Sequence, residues 1–144
     1  MDHNLQEGQR WLAQARYDLQ GAALNGRAGF GEIACFLAQQ SAEKALKAFL
    51  YAQGERPVLG NATHLLVQRC GKYDAAFEGL LEACRRLDQY YIPTRYPNGI
   101  PDGIPHDVYT AVQAAEAVTS AQGVIDRVES WFAERLGDGP ERTE

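Results

Sequence analysis

Arg95 lies among tyrosines, with Tyr90 and Tyr91 before it and Tyr96 directly after. A guanidinium forks onto a phosphate, and tyrosine rings offer stacking faces to a base. Tyr90, Arg95 and Tyr96 are therefore candidate nucleotide-binding residues. The plainer alternative is an arginine paired with Asp88 or Asp102, or simply solvated. A second polar set is Gln40, Lys44, Lys47 and Tyr51, spaced i, i+4, i+7, i+11 on an otherwise apolar segment. Glu43 stands one turn before Lys47, in the favourable order for an ion pair. Lys44 and Lys47 either meet an anionic ligand or snorkel, with stems packed and amines in water. Cys35, Cys70 and Cys84 form no C-x-x-C and fall within apolar helical patterns, where a free thiol packs as a small hydrophobe. His3 and His64 lack the E-x-x-H pairing of a di-iron bundle, so no metal site is expected.

Five helical stretches position these groups. The first runs from about Asn4 to Leu24, with Leu5, Leu12, Ala15, Leu19, Ala22 and Ala23 in one arc. The second, Phe30 to Gln53, is apolar around most of its circumference and belongs at a bundle centre or a subunit interface. Gly54 is placed to cap it and Pro57 follows. A polar loop leads to a short helix from His64 to Tyr73, with Thr63 as the expected N-cap. The fourth runs from Asp74 to Tyr91 and buries Phe77, Leu80, Leu81, Cys84, Leu87 and Tyr91. The fifth runs from Asp107 to Leu136, and 138–144 reads as a loose tail. No strand pattern occurs. The expected fold is an all-α, up-and-down bundle of four or five helices, one domain over residues 1–136.

The connection before the last helix is unusual. Pro93, Pro97, Pro101 and Pro105 recur every fourth residue, and Asn98-Gly99-Ile100-Pro101 is followed directly by Asp102-Gly103-Ile104-Pro105. Asn-Gly and Asp-Gly favour tight turns, and proline restricts both itself and its predecessor. A semi-rigid loop results. It either carries function or packs Tyr96 and the isoleucines over the bundle end.

The net charge of −5 argues against a general duplex-binding surface, so any phosphate contact must come from a local cluster. No apolar run approaches the roughly 20 residues that span a bilayer, and no signal-peptide pattern opens the chain. A cytoplasmic protein is expected.

Several segments, taken in order, resemble the HEPN domain family. Trp11-Leu12-Ala13-Gln14-Ala15-Arg16-Tyr17-Asp18-Leu19 looks like its opening helix. Ala38-Gln39-Gln40-Ser41-Ala42-Glu43-Lys44-Ala45-Leu46-Lys47-Ala48 resembles its central Q-Q-A-A-E-K-A-L-K-A segment. His64-Leu65-Leu66 resembles the H-x-L of its short helix, and Tyr90 with Thr94-Arg95-Tyr96-Pro97 matches its Y-x(n)-R-Y-P element. The resemblance covers about residues 5 to 132.

It implies a homodimeric helical bundle working beside a separate minimal nucleotidyltransferase, in a toxin–antitoxin pair in some systems, with ATP or another nucleotide as ligand and no required cofactor. The resemblance also offers a metal-independent endoribonuclease, in which Arg95 holds phosphate while His106 performs acid–base chemistry on a ribose 2′-hydroxyl of RNA. That branch carries an Arg, four to six residues, then His, often with a tyrosine two places later that the partner transferase can adenylylate. Here ten residues separate Arg95 from His106, seven separate Arg56 from His64, and the tyrosine, Tyr109, comes one place late. The loop insertion must therefore bring Arg95 and His106 to one bundle end for cleavage to occur. A third expectation is a structural adaptor whose loop binds another protein.

Overall fold

The computed structural model describes residues 2–137. Six α-helices follow one another: α1 (His3–Arg27), α2 (Gly31–Ala52), α3 (Thr63–Gly71), α4 (Leu81–Asp88), α5 (Pro105–Val108) and α6 (Ala111–Arg135). Two 3₁₀ turns, Ala75–Leu80 and Pro97–Gly99, complete the regular structure, and no strand occurs among the described residues. The expected tail, 138–144, lies outside them.

The helix count of four or five is corrected to six. The stretch expected as one helix from Asp74 to Tyr91 is a 3₁₀ turn followed by α4. Asp74 accepts from the Ala76 amide, which tightens the first turn, and Gly79 lowers helix propensity within it. The last stretch is also divided. Tyr109 takes an extended conformation after α5, and Thr110 opens α6 with a reciprocal capping box to Gln113. Thr63 does not act as an N-cap: α3 begins at Thr63 itself, and the Asp88 carboxylate accepts its amide and that of His64. A distant side chain thus satisfies amides that the first turn of a helix leaves free.

Helix α2 is the axis of the molecule, packing against α1, α6, α3 and α4. Its alanines at 34, 38, 42, 45 and 48 are fully buried and let neighbouring backbones approach. At Gly8 of α1 the approach is closest: a Cβ there would lie 2.7 Å from the Ala48 carbonyl oxygen and from Phe132 Cζ. Next to Ala48 on α2, Phe49 packs its ring against Phe77 and Trp131. Burying such a ring contributes about 1.5–3 kcal/mol, so this end is the apolar anchor of the bundle. The N-terminal half of α2 is left to receive the proline loop.

Candidate functional site

The loop from Gln89 to Ile104 is held down at defined points. Thr94 is buried and donates to the Tyr90 carbonyl at 2.6 Å, and Pro105 is buried at the start of α5. Gly99 fits against Pro93 so closely that a Cβ would come within 2.9 Å of the Pro93 Cα. These contacts fix the segment that carries Arg95.

The Arg95 guanidinium lies among three rings: its carbon is 4.5 Å from the Phe36 centroid, 4.7 Å from Tyr91 and 5.2 Å from Tyr96. Its Nε donates to the Tyr91 carbonyl at 2.8 Å. Among the described residues neither Asp88 nor Asp102 forms an ion pair with it, and the side chain is exposed. The rings and the Nε bond fix the guanidinium, and its two terminal nitrogens form no hydrogen bond to another described residue, an arrangement that suits a phosphate. Tyr90 turns elsewhere. It is half-buried and meets Tyr109 edge to face at 5.9 Å, and burial raises both phenols above their ordinary range.

His106 sits in the first turn of α5, with Nδ1 2.9 Å from Glu32 Oε1. The Glu32 side chain is largely buried and the imidazole half-exposed. A carboxylate at Nδ1 favours the tautomer with its proton there, which leaves Nε2 as the outward acceptor. Gly31 makes this contact possible: a Cβ on it would lie 2.8 Å from the Tyr109 carbonyl oxygen. Arg95 and His106 therefore rest on adjacent turns of one helix, against Phe36 and Glu32, and do not hydrogen-bond to each other.

The same face of α2 continues to Gln39, whose Nε2 reaches Asp88 at 3.3 Å and the Asn61 carbonyl at 2.8 Å. Asp88 also holds His64 Nδ1 at 2.7 Å and accepts from the Thr63 hydroxyl. Burial would raise the Asp88 pKa, but hydrogen bonds from His64 and Thr63 prevail and hold it below the ordinary carboxylate range.

Lys44 and Lys47 lie two and three turns beyond Phe36, outside the aromatic cage. Lys44 pairs with Asp18 of α1 at 2.7 Å, and Gln14 also donates to that carboxylate. Lys47 is 8% exposed, pairs with Glu43 at 2.9 Å and lies over the Trp11 ring. Both amines are engaged by carboxylates, so in this conformation neither is a free cation at Arg95. The three cysteines are free and buried, with burial pushing Cys35 and Cys84 up to about 12 and Cys70 upward as well, so none is a nucleophile at neutral pH. Among the described residues no three His, Cys, Asp or Glu side chains gather in a metal-holding group.

Phe36, Tyr91 and Glu32 complete the cage and the imidazole contact, and sequence reasoning did not include them among the site residues. Phe36 and Glu32 share one α2 face at i, i+4, a signal that becomes informative only once the loop is known to fold onto that face.

Known proteins extend this geometry. The HEPN domain model matches residues 9–131. The crystal structure of TT1696 from Thermus thermophilus is 39% identical, with a TM-score of 0.82 over 86% of this chain and 97% of that one. The structure of ST0689, described as an archaeal HEPN homologue, is 32% identical, with a TM-score of 0.73 over 88% and 98% of the respective chains. No curated protein matches. The family model spans most of the chain, the two solved structures share its fold over nearly their whole length, and the chain belongs to the HEPN domain family.

Proposed function

We propose that the chain is a metal-independent endoribonuclease whose site is formed by Arg95 and His106. The Glu32–His106 pair carries this reading, because a carboxylate on Nδ1 leaves Nε2 able to act as a base, one α2 turn away from a guanidinium that no carboxylate engages. Nε2 takes the proton of a ribose 2′-hydroxyl, and the 2′-oxygen attacks the adjacent phosphorus. The bond to the 5′-oxygen breaks and that oxygen takes a proton from solvent water, giving a 2′,3′-cyclic phosphate and a 5′-hydroxyl end. Arg95 stabilises charge on the non-bridging oxygens, while Tyr91 and Tyr96 offer ring faces to a flanking base.

The three-ring setting of Arg95 favours a second reading, a nucleotide-binding accessory module serving a separate nucleotidyltransferase in a toxin–antitoxin pair. In both readings the working form is a cytoplasmic homodimer, and Tyr109, beside Tyr90, is the residue such a partner would adenylylate.

The test is incubation of end-labelled single-stranded RNA with the purified chain in EDTA. Cleavage to cyclic-phosphate ends is expected, with His106→Ala and Arg95→Ala each slowing it by about 10²-fold or more. Unimpaired cleavage by the double variant would rule out this site. No cleavage by the wild type, together with saturable ATP binding lost in Arg95→Ala, would establish the accessory module instead.

A further inference from the structure

We propose that Phe30 is the stacking platform for the base of the nucleotide whose 2′-hydroxyl meets His106, so that the site grips RNA by the base on the 5′ side of the scissile phosphate. This rests on the ribonuclease reading and deepens it. In a ribonucleotide the base is attached at C1′, the carbon bonded to C2′. An imidazole that reaches the 2′-hydroxyl therefore has that base close by, and the surface next to His106 is where the base comes to lie. Phe30 supplies an aromatic ring there. Its centroid is 5.8 Å from that of the imidazole, and the two planes are inclined at 45°. The residue is 46% exposed, so much of the ring remains open to a ligand.

The position itself does not ask for this side chain. Phe30 is the N-cap of α2, where Ser, Thr, Asp and Asn are favoured because their oxygens accept from the first free amides. Phe30 makes no such side-chain bond. A helix start that gives up its cap for a half-exposed ring breaks a local rule, and such departures concentrate at functional sites. Beyond Phe30, α2 carries Glu32, which holds His106, and then Phe36, which meets Arg95. The order ring, imidazole, guanidinium is that of base, ribose 2′-oxygen and phosphate in the substrate. The base on the 5′ side then falls to Phe30, and the following base to Tyr91 and Tyr96, whose rings lie 4.7 and 5.2 Å from the Arg95 guanidinium carbon. A phenyl ring has no polar group with which to read a base edge, so Phe30 recognises the face of any nucleobase rather than one base.

The test crosses protein variants with two substrates. One is an oligoribonucleotide that the wild-type chain cuts at a mapped bond. In the other, the base on the 5′ side of that bond is replaced by hydrogen and the 2′-hydroxyl is kept. Phe30→Ser and Phe30→Leu both remove the ring. The first supplies a favoured N-cap, and the second keeps an apolar contact with the imidazole. Removal of the base is expected to slow wild-type cleavage at that bond by about 10-fold or more, but cleavage by the ring-less variants by no more than about threefold. Phe30→Tyr, which retains a ring, should respond as the wild type does. An equal penalty in the wild type and the ring-less variants is what a ring that only steadies His106 would give. That result, or no penalty in the wild type, would overturn the Phe30 assignment while leaving the Arg95–His106 reading in place. A wild-type chain that cleaves no RNA would overturn both.

Discussion

Asp88 gathers more of the structure than any single catalytic candidate. Its two oxygens receive the Thr63 amide and hydroxyl, the His64 amide and ring, and the Gln39 amide group, all within 3.3 Å. Hydrogen bonds to a charged acceptor contribute more than neutral ones, and their loss leaves buried donors unpaired. Asp88→Asn should therefore destabilise the fold by about 2 kcal/mol at neutral pH. The folded state depresses the Asp88 pKa, so this stability is fully present above the unfolded value, about 3.9, and is lost as pH falls through the lower folded value. Thermal melts of both proteins from pH 7 to pH 3 check this, because the gap between them should narrow below about pH 4. A constant gap would mean that the carboxylate charge contributes nothing.

At the scale of elements, α2 performs two tasks in succession. Its N-terminal half receives the loop and the His106 imidazole, while its C-terminal half is packed on all sides and yet contains the ion pair Glu43–Lys47, exposed by only 6% and 8%. Removing one partner of a buried pair strands the other charge, at a cost of about 3–5 kcal/mol, whereas replacing both with apolar residues is often neutral. Glu43→Leu alone should be strongly destabilising, and Glu43→Leu with Lys47→Met should recover most of the loss. Urea titration of the two singles and the double closes this cycle, and additive losses would show that the pair is not energetically coupled. The neighbouring Asp18–Lys44 bridge ties α1 to α2. Lys44 thus joins two helices and Lys47 is paired within one, at positions where sequence reasoning also allowed a ligand.

For the whole molecule, the net charge of −5 disfavours broad contact with RNA, so the proposed site relies on Arg95 for its phosphate contact. Binding of single-stranded RNA should then release few counterions. With one or two phosphates neutralised, the slope of log affinity against log salt is expected near −1, since each contact contributes about −0.7. Fluorescence anisotropy over a salt series measures it. A slope steeper than about −4 would demand an extended basic surface rather than a site built on Arg95. A shallow slope also implies that affinity comes chiefly from stacking on Tyr91 and Tyr96.

An all-helical bundle with an apolar α2 at its centre followed from periodicity alone, because buried stripes at 3.6-residue spacing have one geometric meaning. The Glu43–Lys47 pair was legible for the same reason: an i, i+4 relation is local. The division of the last two helical stretches depended on caps at Asp74 and Thr110, which compete with helix continuation and are weak signals beside a strong apolar stripe. The ordered motifs of the opening, central and R-Y-P segments were enough by themselves to point to the HEPN family. The chain order could not reveal that Asp88, rather than Thr63, caps α3, or that Phe36 and Glu32 meet Arg95 and His106. Those contacts join residues far apart in sequence; the Asp88 cap forms when α4 packs against α3, and the other two when the proline loop folds back onto α2. That path is set by the buried Thr94 and Pro105 and by the absence of a side chain at Gly31.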